Sequence, residues 1–271
     1  MNIGVLSGKG GTGKTLISTN MAVVMAGNYI DCDVEEPNGF IFLQPEEVVT
    51  EEVSVKNPVV DTDKCTLCGK CVEACNFNAL AKTKKIVLFE KLCHSCGACK
   101  LVCPEGAISY EKRAIGIIDR GRSEGINCVQ GKLNVGEAMA VPVIKAVLKS
   151  LPKELNIVDC APGTSCNVVN TLEHMDKAVL VTEPTKFGLH DLERAVELCR
   201  REDIPYGIVI NRVVEKENLI ESYCKENSIV VLGRIPYERE IAEIYSRGEL
   251  LIKHEKYRKL LEGIEAEIGR L

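Results

Sequence analysis

Cys65, Cys68, Cys71 and Cys75, followed by Cys93, Cys96, Cys99 and Cys103, form two lines of one pattern, C-x2-C-x2-C-x3-C, the second closing on Pro104. Thiolates at this spacing are the ligands of paired [4Fe–4S] clusters. Close spacing lets a tight, glycine-assisted turn set three thiolates around one cube, while the fourth opens a short helix and turns to the other cluster. Cys65, Cys68, Cys71 and Cys103 are therefore expected to hold one cluster, and Cys93, Cys96, Cys99 and Cys75 the other. Structural zinc also uses C-x2-C pairs. Eight cysteines in this duplicated order favour iron–sulfur.

A second chemistry precedes them. Gly8-Lys9-Gly10-Gly11-Thr12-Gly13-Lys14-Thr15 satisfies G-x4-G-K-[ST], after an apolar run at Asn2–Leu6 and before a helical pattern. The glycines let backbone N–H groups converge on phosphates, and the following helix N-terminus adds a favourable dipole. Lys14 is expected on the β- and γ-phosphates of ATP, and Thr15 on Mg²⁺.

With Lys9 as a second lysine, the loop resembles the deviant Walker A signature of the MinD/ParA/nitrogenase-iron-protein class of P-loop ATPases. The resemblance implies an ATP-dependent homodimer in which Lys9 reaches the phosphates bound by the partner. It implies that Asp31-Cys32-Asp33-Val34-Glu35-Glu36-Pro37-Asn38 is the first switch, with Asp33 near the catalytic water. Ile157-Val158-Asp159-Cys160-Ala161-Pro162-Gly163 resembles Walker B and the second switch, with Asp159 serving Mg²⁺ through water. Val209-Ile210-Asn211-Arg212 and Ile235-Pro236-Tyr237 resemble the adenine-side segments, Asn211 being the base contact. The catalytic set so implied is Lys9, Lys14, Asp33 and Asp159. The nucleotide (ATP or ADP) is held by residues 8–15 with Asn211, Arg212 and Pro236.

The cysteine lines fall between the first switch and Walker B. In this the whole chain resembles MinD-superfamily ATPases that contain an inserted ferredoxin domain of the bacterial type. Such a protein implies a low intrinsic ATPase rate and a redox or metallocofactor-maturation partner. Its function would be electron transfer or iron–sulfur maturation driven by a nucleotide-dependent dimer. The alternative is a nucleotide-regulated cluster carrier without a redox role, and a third reading is MinD-like positioning on membranes. Two departures stand out: the second strand is abbreviated around Ala26-Gly27-Asn28-Tyr29, and Asn76 follows Cys75 where many ferredoxins place Pro.

The elements needed to position these residues are legible. Lys14 to Met25 reads as a helix, and Leu155–Val158, Ala178–Thr182, Tyr206–Ile210 and Ile229–Leu232 as buried parallel strands. Leu189, Leu192, Val196 and Cys199 recur at helical spacing between them, as do Leu219, Ile220 and Tyr223. This alternation predicts an α/β fold, a doubly wound and mostly parallel sheet of the P-loop NTPase kind. Residues 1–56 and 114–271 are expected to form that domain, and residues 57–113 a ferredoxin-like α+β insert. The insert repeats internally at an offset of 28: Cys65, Cys68, Gly69, Cys71, Cys75 and Ala79 match Cys93, Cys96, Gly97, Cys99, Cys103 and Ala107.

Composition narrows the function classes. A net charge of −5 and only twelve aromatics, none of them Trp, give no basis for nucleic-acid binding. No apolar run approaches the roughly 20 residues that span a bilayer, and the N-terminus lacks the basic flank of a signal peptide. Fourteen cysteines in such a chain argue for metal ligation in a reducing cytoplasm.

Other residues have plainer expectations. Cys160 and Cys166 invite comparison with the subunit-bridging cluster of the nitrogenase iron protein, but a small buried hydrophobe is the default for Cys160. Cys32 and Cys128 are ambiguous, whereas Cys199 and Cys224 fall on predicted helices. Lys82, Lys84 and Lys85 read as a solvated turn, and His94 as a spacer between ligands. The C-terminal stretch from Tyr257 to Leu271 is amphipathic, with mixed charges opposite its apolar face, and is expected to pack on the sheet.

Overall fold

Short runs such as Ile3-Gly4-Val5-Leu6, Ile157-Val158 and Ala178-Val179-Leu180-Val181 have no exposed apolar side chain to spare, so they must be covered on both faces. The computed structural model, which describes residues 1–215 and 218–271, meets this demand with a sheet between two helical layers. In chain order the strands are β1 (Asn2–Leu6), β2 (Asn28–Asp31), β3 (Glu46–Val60), β4 (Leu80–Lys82), β5 (Ile86–Leu88) and β6 (Ile108–Ser123). They continue with β7 (Ile126–Leu133), β8 (Asn156–Asp159), β9 (Lys177–Thr182), β10 (Tyr206–Val213) and β11 (Val231–Pro236).

Nine of them form one sheet in the order β11-β10-β9-β1-β8-β2-β7-β6-β3. From β11 to β7 every pairing is parallel; β6 and β3 extend that edge antiparallel. Alternate residues feed opposite cores. Val179 and Val181 of β9 join the side covered by the helices Lys14–Val24 and Glu255–Arg270. Ala178 and Leu180 join the side covered by Ala140–Lys149, Cys166–Leu172 and Lys186–Arg201. Tyr257, Leu261, Ile264 and Ile268 are buried on the sheet as expected, so the apolar face of the C-terminal helix is already used. Among the described residues no helix is long and apolar enough to cross a membrane.

The expected parallel strands form with ends within three residues of expectation, except the last. Ile229 does not begin β11, because its N–H donates to the Cys224 carbonyl (2.8 Å) and closes the preceding helix. The abbreviated second strand is real, only four residues long. Three strands lie outside the expectation. β7 is one; the others are β3 and β6, whose charged residues stand in solvent at the sheet edge and hide the strand pattern. The edge carries Glu46, Glu47, Glu51 and Glu52, which guard it against pairing with another chain.

These two strands change the picture of the insert. Residues 57 and 113 lie inside β3 and β6, which stay in register from Val55–Arg113 to Val60–Ile108. The cysteine unit is thus carried at the far end of a continuous two-stranded arm. Beyond it sit short helices at Lys70–Glu73 and Ala98–Leu101, the β4–β5 pair, and a small core of Cys71, Leu80, Ile86 and Ile108. Lys82, Lys84 and Lys85 occupy the exposed β4–β5 turn.

At the root of the arm, Arg113 forms an ion pair with Glu137, the side chains 14% and 6% exposed. The pair is made through the terminal nitrogens, and among the described residues the Nε of Arg113 has no partner. Burial raises the Glu137 carboxyl and Arg113 outweighs it, holding the group below its usual range. The pair's contribution is therefore present above the unfolded carboxyl value and is lost as pH falls through the folded one. Glu137→Gln is expected to lower unfolding stability by about 2 kcal/mol at pH 7, since it leaves a buried guanidinium without its counter-charge. Glu51→Gln, which breaks the exposed Arg120 pair, should change it by less than about 0.5 kcal/mol. Guanidinium titration of both variants checks the contrast.

Candidate functional site

Two glycines of the phosphate loop are required by close approach. A Cβ on Gly8 would lie 2.2 Å from the Asp191 carbonyl oxygen, and one on Gly13 would lie 2.3 Å from Asn211 Nδ2. Gly13 also has φ +99° and precedes the helix Lys14–Val24 without any side-chain cap. The first N–H groups of that helix are therefore free for an anion. Lys14 is 6% exposed, and its Nζ stands 3.9 Å from Asp33 Oδ2. Thr15 follows on the first turn, and the buried Thr12 Oγ1 has no partner.

Carboxylates converge on the loop from the neighbouring strands. β2 and β8 pair Asp31 with Asp159, both completely buried. Tyr29 O–H reaches both, at 2.9 Å from Asp31 Oδ2 and 3.3 Å from Asp159 Oδ2. Asp31 also accepts from the backbone N–H groups of Asp33 (3.0 Å) and Gly39 (3.2 Å). Burial raises both carboxyls, and Asp159 pushes Asp31 further, well above the carboxylate range. Among the described residues Asp159 Oδ1 has no hydrogen-bond partner. A buried oxygen without a donor, beside Lys14 and Thr15, is what a divalent cation and its water would satisfy, so the residues fit Mg²⁺.

The expected nucleotide contacts also come together. Asn211 Nδ2 donates to the Thr12 carbonyl (2.8 Å). Asn211, Arg212 and Pro236 line a cavity of about 280 Å³ beside Gly11 and Gly13. On the other side of the loop, Asp33, Glu35, Pro162 and Ser165 line a cavity of about 350 Å³ between the two switch-like segments, which Asn167 and Glu35 tie at 3.2 Å. A larger cavity, about 610 Å³, opens near Arg122 and Lys253, where four of the lining charges pair among themselves (Arg247–Glu249, Lys253–Glu124).

Several residues at the site carry no motif. Tyr29 is one; Ile241 and Tyr245, which complete the wall of the base cavity, are others. The most consequential is Glu183, whose carboxylate pairs with Lys9 and, at 3.0 Å, with Arg212. Its signal is positional: it directly follows the carboxyl end of β9, the edge at which such sheets bind ligands.

The eight cysteines line two cavities, four to each. Cys65, Cys68, Cys71 and Cys103 line one cavity; Cys75, Cys93, Cys96 and Cys99 line another. The halves share their backbone: Leu67 and Ser95 have φ near +55°, and Gly69 and Gly97 have φ +88° and +85°. Ala79 N–H and Ala107 N–H each donate to the fourth sulfur of their line, Cys75 and Cys103, at 3.3 Å. Among the described residues no three His, Cys, Asp or Glu side chains converge tightly enough for a single metal ion. Four thiols around one cavity are a donor set that fits an iron–sulfur cluster.

Five of the six remaining cysteines are packed away. All fourteen are free thiols; Cys32, Cys128, Cys160 and Cys199 are completely buried and Cys224 nearly so. Cys160 offers its thiol to the Val158 carbonyl, whereas Cys166 is exposed, so these two do not form a shared surface site. His94 is exposed and stacks on Phe77, ring centroids 3.8 Å apart.

The sequence profile of the CobQ/CobB/MinD/ParA nucleotide-binding domain matches residues 3–252. The chain belongs to that family. It is 35% identical to the uncharacterized protein MJ0579 of Methanocaldococcus jannaschii, over 97% of this chain and 96% of the relative. A cytosolic Fe-S cluster assembly factor Nubp2 homolog of Anopheles gambiae is 23% identical, over 92% of this chain and 87% of that protein. The fold is that of the septum site-determining protein MinD of Pyrococcus horikoshii, solved with Mg-ADP. That likeness has a TM-score of 0.63 and 18% identity, over 98% and 95% of the two chains.

Asp33 gives the site a pH signature. Burial, only partly opposed by Lys14, raises its carboxyl to about 6. An unfolded Asp titrates near 3.9, so the folded chain binds the extra proton between those values and gains stability as pH falls through 6. Asp33→Asn is expected to stabilise the nucleotide-free protein at pH 8 by about 1–2 kcal/mol and to flatten this slope. Thermal unfolding from pH 5 to pH 8 measures both.

Proposed function

We propose that this family member is an ATP-hydrolysing iron–sulfur protein in which a nucleotide-dependent dimer switch is coupled to two [4Fe–4S] clusters. The service performed is electron transfer to, or maturation of, a partner's metallocofactor in the cytoplasm. The observation that carries this reading is the presence, in one chain, of a phosphate loop facing buried carboxylates and of eight cysteines around two cavities, four to each.

Each residue has a part. The loop amides and Lys14 bind the β- and γ-phosphates, Thr15 and Asp159 hold hydrated Mg²⁺, and Asn211, Arg212 and Pro236 receive the base. Asp33 orients the water that attacks the γ-phosphorus; the bond to the bridging oxygen breaks, and ADP and phosphate leave. Lys9 reaches the nucleotide held by a second copy, closing the dimer over the switch segments. Residues 57–113 form the ferredoxin-type insert, with Cys65, Cys68, Cys71 and Cys103 at one cluster and Cys93, Cys96, Cys99 and Cys75 at the other. Bound there, the clusters supply one-electron chemistry at low potential.

A second reading, a nucleotide-regulated cluster carrier, is favoured by the exposure of Cys68 and Cys96 and by the assembly-factor names of the Nubp relatives. Transfer of clusters to an apo-protein would select it; reversible reduction with clusters retained would select the redox role. Membrane positioning finds less support, because the C-terminal helix spends its apolar face on the sheet.

Anaerobically purified protein is expected to carry about eight iron atoms and an equal number of sulfides per chain, with a reducible EPR signal. Cys71→Ser should lose about half of the iron, Cys160→Ser none, and Lys14→Ala should abolish ATP binding while keeping the iron. Iron-free protein after anaerobic reconstitution, or a Cys71→Ser variant with the full iron content, would sink the cluster assignment. Redox potentials unmoved by Mg-ATP, with and without the partner, would sink the coupling.

A further inference from the structure

Lys9 lies in a loop otherwise made of glycine and threonine, and its ammonium is not free. It is paired with Glu183, whose side chain is only 13% exposed, while Lys9 itself remains one-third exposed. The same carboxylate accepts from Arg212 Nη1 at 3.0 Å. The backbone of Arg212 is constrained: its φ is +57°, and its N–H donates to Asn211 Oδ1 at 2.9 Å. Burial disfavours the Glu183 charge, but Lys9 and Arg212 more than compensate and keep the carboxyl below its usual range. One carboxylate thus bridges the phosphate loop and the base-side segment.

We propose that Glu183 is a latch that holds Lys9 back in the single chain and hands it over when a dimer closes on nucleoside triphosphate. The proposal rests on the reading that Lys9 engages a partner's phosphates. Arg212 makes the exchange feasible. Withdrawing one partner from a buried pair ordinarily strands the other charge at high cost. Glu183 keeps the Arg212 guanidinium when Lys9 leaves, so only one charge-assisted hydrogen bond is broken on each side. The triphosphate, more negative than the carboxylate, competes for the same ammonium; the diphosphate lacks the group that Lys9 would meet. Glu183 is accordingly a positioning residue for Lys9, and it sets the threshold for dimer closure.

The test uses the anaerobically prepared full chain, with analytical ultracentrifugation in a slowly hydrolysed ATP analogue or in ADP. Glu183→Gln is expected to lower the concentration of half-dimerisation by about fivefold for each of the two latches opened per dimer, with the analogue only. Glu183→Asp, which keeps the charge for Arg212 but shortens the reach toward Lys9, should fall between, and it serves if the glutamine variant does not fold. In a Lys9→Ala background the Glu183 substitutions should change nothing, which a merely structural role for Glu183 would not produce. A wild-type dimer whose half-point is unmoved or raised by Glu183→Gln, or a shift that persists without Lys9, overturns the latch alone. A wild-type chain that stays monomeric with the analogue at every concentration overturns the dimer reading, and the latch with it.

Discussion

Asp31 and Asp159 meet across two adjacent parallel strands with neither side chain reached by solvent, and much of the site is arranged around that fact. Two carboxylates in such a place cannot both be charged without counter-charge. The chain supplies a partial answer: one phenol between them, two backbone N–H groups on Asp31, and Lys14 nearby. It leaves Asp159 Oδ1 and Thr12 Oγ1 without partners. The unliganded site is therefore under electrostatic load, and a divalent cation with phosphates relieves it from two directions at once. Stability forgone in the free chain is recovered as ligand affinity, the usual economy of a binding site.

The same register fixes what the switch-like segment after β2 touches. After Asp31 the chain turns through Asp33, and the Val34 carbonyl accepts from Leu133 N–H at 2.8 Å, at the end of β7. Asn134, next in line, donates its N–H to the Ile115 carbonyl at 2.9 Å and its side-chain amide to the Ala114 carbonyl at 3.3 Å, both on β6. Arg113 and its buried pair with Glu137 come directly after. A short series of hydrogen bonds thus runs from the residue facing Lys14 to the root of the arm that carries the cysteines. Within the function proposed here, this is where a displaced first switch would press on the arm, at Ile115, where the β3–β6 pairing shifts before it runs in register from Ser54–Ala114 to Val60–Ile108.

Much of this was legible in the residues themselves. The phosphate loop, the parallel strands and the division of the cysteines follow from local rules: glycine at left-handed or crowded positions, apolar runs with no polar face, thiols at fixed spacing. Glu183 and Tyr29 were not legible, because their roles depend on which strands become neighbours. The sequence has Glu183 174 residues from Lys9, and only the order β9-β1-β8 brings them together. β3 escaped for a different reason. A charged, solvent-facing edge strand needs no apolar alternation, so its sequence resembles a loop until its partner is known.

The cysteine unit shows most clearly how little its own apolar material can do. Four buried residues make its core, too few to hold a fold of that size without another source of stability. The arm provides one source, and ligation by eight thiolates would provide the other. Its two halves keep the same turns and the same N–H donor to the fourth sulfur of each line. What differs is the surround. At the offset of 28, Phe77 and His94 of one cavity correspond to Glu105 and Thr66 of the other. Lys56 and Lys100 lie over Tyr110, on the side with the stacked rings. Polarity, charge and access around the sulfurs set cluster potential when ligands are equal. Under the function proposed above, two cavities alike in their thiols and unlike in their walls would hold clusters of different potential.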